Sequence, residues 1–423
     1  MTLLASVGHA QALDGREAGL QAAHQALNRL GAATPSLGLV ISSHQYQPRE
    51  VASGVSSLLG EAPLIGFSAP AGLTSEGLHP HSVVVALLSG DFQAESHWMP
   101  GYAQSGRETA SRLMSLAGAR NEPQSLLLFA DGFNGDAEQL CAGLSSASLP
   151  LAGALSSGDL HTGSTYLMSG VQTGSGALTA ALLHGNLKVG IGSAHGWNPV
   201  GSQFRVTRSR GFWLRTLEGR PASETYAGLF GFPAREWAFP PLSHLARLYP
   251  LGVEQGETMV IRAPIRVEAD GSFRMNGTVR DGIDAFVLVG TRSDCEKAAQ
   301  QAAQQALIGL GSAKPAFALV LVDTAWQMLL KANPGAEVAA VQDMLGPHVP
   351  IAGGYTLGQI VPGAETPAFL NQHIVVIAFG ASDAPVIGAS AGVFAMLTGY
   401  AIVFPNRTVM LLIPPIPLPA RVF

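Results

Sequence analysis

The strongest constraint on how this chain can fold is a pattern that it repeats three times. A proline opens a short apolar run at Pro35 (PSLGLVISS), Pro123 (PQSLLLFAD) and Pro315 (PAFALVLVD). Each run is short, apolar and bounded by a breaker, the signature of a buried strand. A segment of mixed polarity follows. A second strand then opens with nearly the same four residues: Pro63-Leu-Ile-Gly66, Pro150-Leu-Ala-Gly153 and Pro350-Ile-Ala-Gly353. The first and second prolines stand 28, 27 and 35 residues apart. A third apolar strand closes each unit, ending at Gly90, Gly185 and Gly380.

Alanine-rich amphipathic segments precede the first strands. EAGLQAAHQALNRLG and CEKAAQQAAQQALIGLG each stop at a glycine, where a helix C-cap is expected. The unit therefore reads helix, strand, helix, strand, Gly-rich loop, strand, and such alternation predicts α/β architecture with mixed sheets layered under helices. Residues 186–295 have another texture, alternating apolar and polar residues with turn signals, and predict an antiparallel β insertion with a helix after Pro221 and a turn at Asp270-Gly271. The domain boundary falls near 216–222, dividing the chain into 1–218, 219–380 and an apolar tail, 381–423.

Composition narrows the function. The net charge is −5 without a long basic run, which argues against a nucleic-acid partner. Cys141 and Cys295 form no metal-ligand or disulfide pattern and suit a reducing cytosol. The N-terminus carries no charged start followed by a long apolar region, so no signal peptide is expected and the protein reads as cytoplasmic.

Ligands of α/β proteins usually sit at the carboxyl ends of strands, which brings three loops into play: 66–72, 153–159 and 353–359. Gly66, Gly72 and Gly354 permit close backbone approach. Ser68, Ser156, Ser157, Asp159, Tyr355, Thr356 and Gln359 offer polar groups for a small ligand. The plainer alternative is that these glycines only turn the chain. His195, followed by Gly196 and Trp197, is a candidate haem ligand, or else a packed turn with a satisfied imidazole. His79 and His81 sit two apart, but no cysteine or acidic cluster in the sequence supports a metal there. Asp131-Gly-Phe-Asn-Gly-Asp136 fails the calcium-loop spacing and reads as a turn in which Asp136 caps the next helix.

Taken as a set, the following stretches resemble the FIST family of sensory domains over roughly residues 15–380: residues 63–72, the turn 195–199, Val206-Thr-Arg-Ser209, residues 217–222 with Tyr226, Val260-Ile-Arg-Ala-Pro-Ile265, Gly353-Gly-Tyr-Thr-Leu-Gly358 and Asn371-Gln-His373. The resemblance implies a ligand-binding input module with N- and C-terminal halves. Amino acids are proposed ligands of such modules, and some relatives bind haem and respond to nitric oxide. The signal would pass to a separate partner such as a histidine kinase or cyclase. Two departures stand out. Gly72-Leu73 and Gly358-Gln359 occupy places where the family often has Gly-Glu, and Val322-Asp-Thr-Ala325 replaces a frequent Cys-x-x-Arg. An enzyme built on the loop serines or His195 is the competing class, but no nucleophile stands in a recognisable context with its base.

Residues 384–404 run without a charge for the length of a membrane span. This tail resembles the segment of rhomboid intramembrane proteases that carries their serine, which would make Ser390 a vestigial nucleophile. The histidine that serine attack needs lies on a later helix of that family, absent from this chain, so no working protease is expected. A fusion product, a membrane tether and a buried helix are the three readings of the tail.

Overall fold

A computed structural model describes residues 3–118, 125–144, 149–160, 162–239, 242–255, 258–364 and 366–381, together with 408–410 and 417–419. Residues 1–381 form one compact unit and 382–423 a second. What is described of the second is one antiparallel pair, Thr408–Met410 with Pro417–Pro419. The expected helix over 384–404 and Ser390 lie outside the described residues. Among the described residues no helix is long and apolar enough to cross a membrane.

Each repeat builds one sheet. In unit one, Leu37–Ser43 runs parallel to Leu64–Ala69 and antiparallel to Val83–Ser89. Unit two repeats this with Ser125–Ala130, Leu151–Leu155 and Ala177–Gly185. Unit three does so with Lys314–Asp323, Ile351–Thr356 and Ile374–Ala381. An edge strand completes each: Leu4–Ala10, Phe92–Pro100 and Lys188–Ala194.

The third edge strand corrects the sequence reading. Lys188–Ala194 was expected within the antiparallel insertion, yet it pairs with Ile374–Ala381 and belongs to unit three. The insertion proper separates this strand from the helix that it feeds in the other two units. It forms its own antiparallel sheet, from Trp197–Arg210 to Asp284–Gly290, with the expected helix Ala222–Phe230 directly after Pro221.

The alanine-rich helices form where expected. Gly15–Leu30 is capped by Asp14, whose carboxylate accepts the Glu17 N–H, and it ends at Gly31 with φ 74°. Arg292–Leu310 is capped by Thr291 and ends at Gly311 with φ 64°. Alanine on the buried face lets the helix approach the sheet closely. A Cβ at Gly190 would lie 1.9 Å from the Ala306 carbonyl oxygen, so the edge strand keeps glycine there. Each sheet thus has a helix-covered outer core. The opposite faces share one inner core, in which Phe67, Phe129 and Phe317 come from the three units.

The units are joined by an exchange of hairpins. After its second strand, unit one sends Ala71–Thr74 and Gly77–Pro80 onto the sheet of unit three, where Gly72 pairs with Gly354. Unit three sends Gly358–Val361 and Ala368–Leu370 onto unit two, where Gln359 pairs with Ala154. Unit two sends Leu167–Ser169 and Gln172–Gly174 onto unit one, where Met168 pairs with Gly66. The exchange is cyclic.

Candidate functional site

The exchange brings together, in pairs, the loops singled out from the sequence. Ser68 donates its hydroxyl to the Ser157 carbonyl at 2.8 Å and accepts the Tyr166 N–H at 2.9 Å. Thr165 donates to the Ser156 hydroxyl at 2.5 Å. Thr356 donates to the Val322 carbonyl at 3.2 Å and accepts from the Gln359 amide at 2.8 Å. Tyr355 donates its hydroxyl to the buried carboxylate of Glu337. Of the ten candidate residues only Asp159 is partly exposed, where it accepts the Thr162 hydroxyl at 3.0 Å; the other nine are buried. The polar side chains of the joint therefore turn toward one another and toward backbone. Two acceptors, Ser157 Oγ and Gln359 Oε1, are buried without a partner.

Beside the joint, Arg247 ties the insertion to the carboxyl end of unit three's first strand. It is 1% exposed and donates from Nη2 to Asp323 at 3.2 Å and to Thr324 at 2.7 Å. Asp323 also accepts the N–H groups of Ala325 and Gln372.

His195 is partly buried and packs edge-on against His373, with ring centroids 4.8 Å apart. Its Nδ1 accepts the Trp197 N–H at 3.3 Å, and burial lowers its pKa. The next residue, Gly196, lies so close to the helix Arg292–Leu310 that a Cβ there would come within 2.6 Å of the Cys295 nitrogen. A haem iron is bound through the in-plane lone pair of an imidazole nitrogen. Here Nδ1 is engaged by the Trp197 N–H, one side of the ring is taken by His373 and the following backbone abuts a helix.

The open space lies elsewhere. A cleft of about 970 Å³ separates the helix Ala137–Gly143 of unit two from the insertion and from the hairpin of unit three. Its walls include Val253, Val260, Ile283 and Phe369, with charge from Asp136, Glu138, Glu254, Arg262 and Arg280. Asp136 caps the helix as the sequence predicts, accepting the N–H groups of Glu138 and Gln139, and this aims Glu138 across the cleft. Arg262 donates from Nη2 to Glu138 Oε1 at 2.6 Å, while the Thr278 N–H and hydroxyl reach the other carboxylate oxygen at 3.2 and 2.5 Å. The Arg262 guanidinium also stands 5.9 Å from the centre of the Phe369 ring. Burial and the nearby Glu138 and Asp136 push the Cys141 thiol up to about 12, so this wall offers no thiolate nucleophile.

Two family models match the chain, the FIST N domain over residues 36–220 and the FIST C domain over 222–362, and together they take up more than half of it. The chain belongs to the FIST family. No curated protein matches it. Both matches end before the C-terminal tail, and nothing in the matches or among the described residues supports the resemblance to a rhomboid protease fragment.

On the FIST frame the cleft lies between domains. Glu138 belongs to FIST N, and Arg262 and Thr278 to FIST C. The edge strand Lys188–Ala194 is FIST N by sequence, yet it completes the sheet of FIST C. Sequence reasoning missed Glu138, Arg262, Thr278, Arg280 and Phe369, because the cleft joins segments more than a hundred residues apart. One signal was available. Arg262 interrupts the apolar run Met259-Val-Ile on a strand, and a charge in that position demands a partner.

Proposed function

We propose that this FIST protein is the input module of a signalling system, binding a small polar metabolite in the cleft between FIST N and FIST C. An amino acid is the foremost candidate. The observation that carries the reading is the Arg262–Glu138 pair, which bridges the two domains on the wall of an open cleft. A zwitterionic ligand finds guanidinium groups for its carboxylate in Arg262 and Arg280, carboxylates for its ammonium in Glu138 and Glu254, and apolar wall for its side chain. Domain interfaces are preferred ligand sites, and a ligand that competes for one partner of the bridge changes how firmly the domains are tied. Occupancy is then passed to a separate partner, a histidine kinase or a cyclase. The reading is of binding without turnover, in the cytoplasm, and the two buried free thiols support a reducing compartment.

The test is a calorimetric and thermal-shift screen of the full chain against the amino acids and small organic acids. One ligand should raise the melting temperature, and Arg280→Ala should weaken it at least tenfold. Saturable binding that Arg280→Ala and Glu254→Gln both leave unchanged would move the ligand out of this cleft.

A further inference from the structure

The sequence pairs His79 with His81, two residues apart, but the fold gives His79 different neighbours. His9, on the edge strand Leu4–Ala10, stacks on His79 of the hairpin strand Gly77–Pro80, with ring centroids 3.8 Å apart and planes inclined by 28°. Glu76, in the turn of that hairpin, brings Oε2 to 3.9 Å from His9 Nε2. One ligand atom from each of the three lies within 4.8 Å of the other two. His81 instead stacks on Tyr46, 4.6 Å away. We propose that His9, Glu76 and His79 form a binding site for one divalent transition-metal ion of the zinc type, which no part of the signalling reading requires.

The donor set is the first support. Two imidazoles and a carboxylate suit zinc and its neighbours, and three protein ligands leave a fourth position for water. The surroundings are the second. His79 Nε2 is engaged by the Thr74 hydroxyl at 2.8 Å, which orients the ring. His9 Nε2 faces Glu76, while its Nδ1 is buried without a partner.

Bonds of about 2.0–2.2 Å place the ligand atoms of a tetrahedral ion about 3.3–3.6 Å apart, so the three groups must close by up to about 1.5 Å. Glu76 is free to make that move, its side chain being 58% exposed. Its existing partner, Arg29 at 3.7 Å, is also more than half exposed and makes a weak, solvent-screened pair that a dication displaces. The hairpin carrying Glu76 and His79 is the one unit one lends to unit three. A bound ion would therefore tie the exchanged hairpin back to the edge strand of its own unit.

The test is zinc calorimetry on the full chain after chelator treatment, with cobalt as a visible-absorption probe of tetrahedral geometry. One equivalent should bind, and His9→Ala, His79→Ala and Glu76→Gln should each weaken it at least tenfold, while His81→Ala leaves it unchanged. Far-ultraviolet circular dichroism of each variant separates lost binding from lost folding, and Glu76→Gln, at an exposed position, decides if a histidine variant misfolds. Absence of zinc binding below millimolar concentration would overturn the proposal. So would binding that all three variants leave intact, or binding that His81→Ala removes.

Discussion

Arg262 and Glu138, 124 residues apart in sequence, meet at 2.6 Å across the boundary between the two FIST domains. The guanidinium is nearly buried, with 6% of its side chain exposed, whereas Glu138 keeps 24%. Breaking a buried pair from one side costs about 3–5 kcal/mol, because the remaining charge loses its partner. Solvent at Glu138 lowers that figure. Arg262→Ala should therefore cost about 2–3 kcal/mol in urea unfolding, and a charge-free pair of apolar replacements should cost less than the single change.

Glu337 tests the energetics of unit three's interior. It is fully buried, accepts the Tyr355 hydroxyl through one oxygen and leaves the other without a partner. Burial raises its pKa. A carboxyl whose pKa is higher in the folded state holds its proton more tightly there. Its contribution is fully present below its unfolded pKa and is lost as pH rises through the folded value. Glu337→Gln should therefore match or exceed the wild-type melting temperature at pH 8, and the difference should shrink toward pH 4.

His373 should act in the acid direction. Burial, then the neighbouring His195, lowers its pKa from 6.5 to about 3. The folded state then binds this proton less readily than the unfolded chain, so stability is present above pH 6.5 and is lost as pH falls toward 3. One proton sets a ceiling of about 1.4 kcal/mol per pH unit on that slope. His373→Gln should flatten the pH dependence of unfolding within this window.

The repeat makes its own prediction. A Cβ at Gly153 would lie 2.0 Å from the Leu128 carbonyl oxygen, and one at Gly353 would lie 2.0 Å from that of Val320. Both glycines are the third residue of the second strand of their unit, where it runs beside the first. Gly153→Ala and Gly353→Ala should each destabilise by about 2–3 kcal/mol or more, the cost of forcing atoms into a close-packed site. Chemical denaturation of the two variants should give similar losses.

The three units were legible because their signals are local. Proline and glycine mark strand starts and helix ends wherever they fall, and an alanine-rich stripe announces a helix lying close on a sheet. Gly31, Gly311 and Asp136 could each be assigned from a few neighbouring residues. The loops near Ser68, Ser157 and Thr356 could also be named, as the carboxyl ends of strands. That Ser68 and Thr356 would bond to backbone and to neighbouring side chains, while Ser157 Oγ is buried without a partner, did not follow, because a hydroxyl has the same sequence context whether its partner is backbone or ligand.

By itself, then, the sequence determined the three central strands of each unit, the alanine-rich helices and the threefold repetition, all of which depend on residues within a turn or two of one another. Only the tertiary structure decided which hairpin extends which sheet, that Lys188–Ala194 leaves its neighbours to join unit three, and that Glu138 faces Arg262 and His9 faces His79. Backbone hydrogen bonds join strands without regard to side chain, so an edge strand does not name its partner. The choice is made by the inner core, where Phe67, Phe129 and Phe317 leave water together only when the three units close on one another.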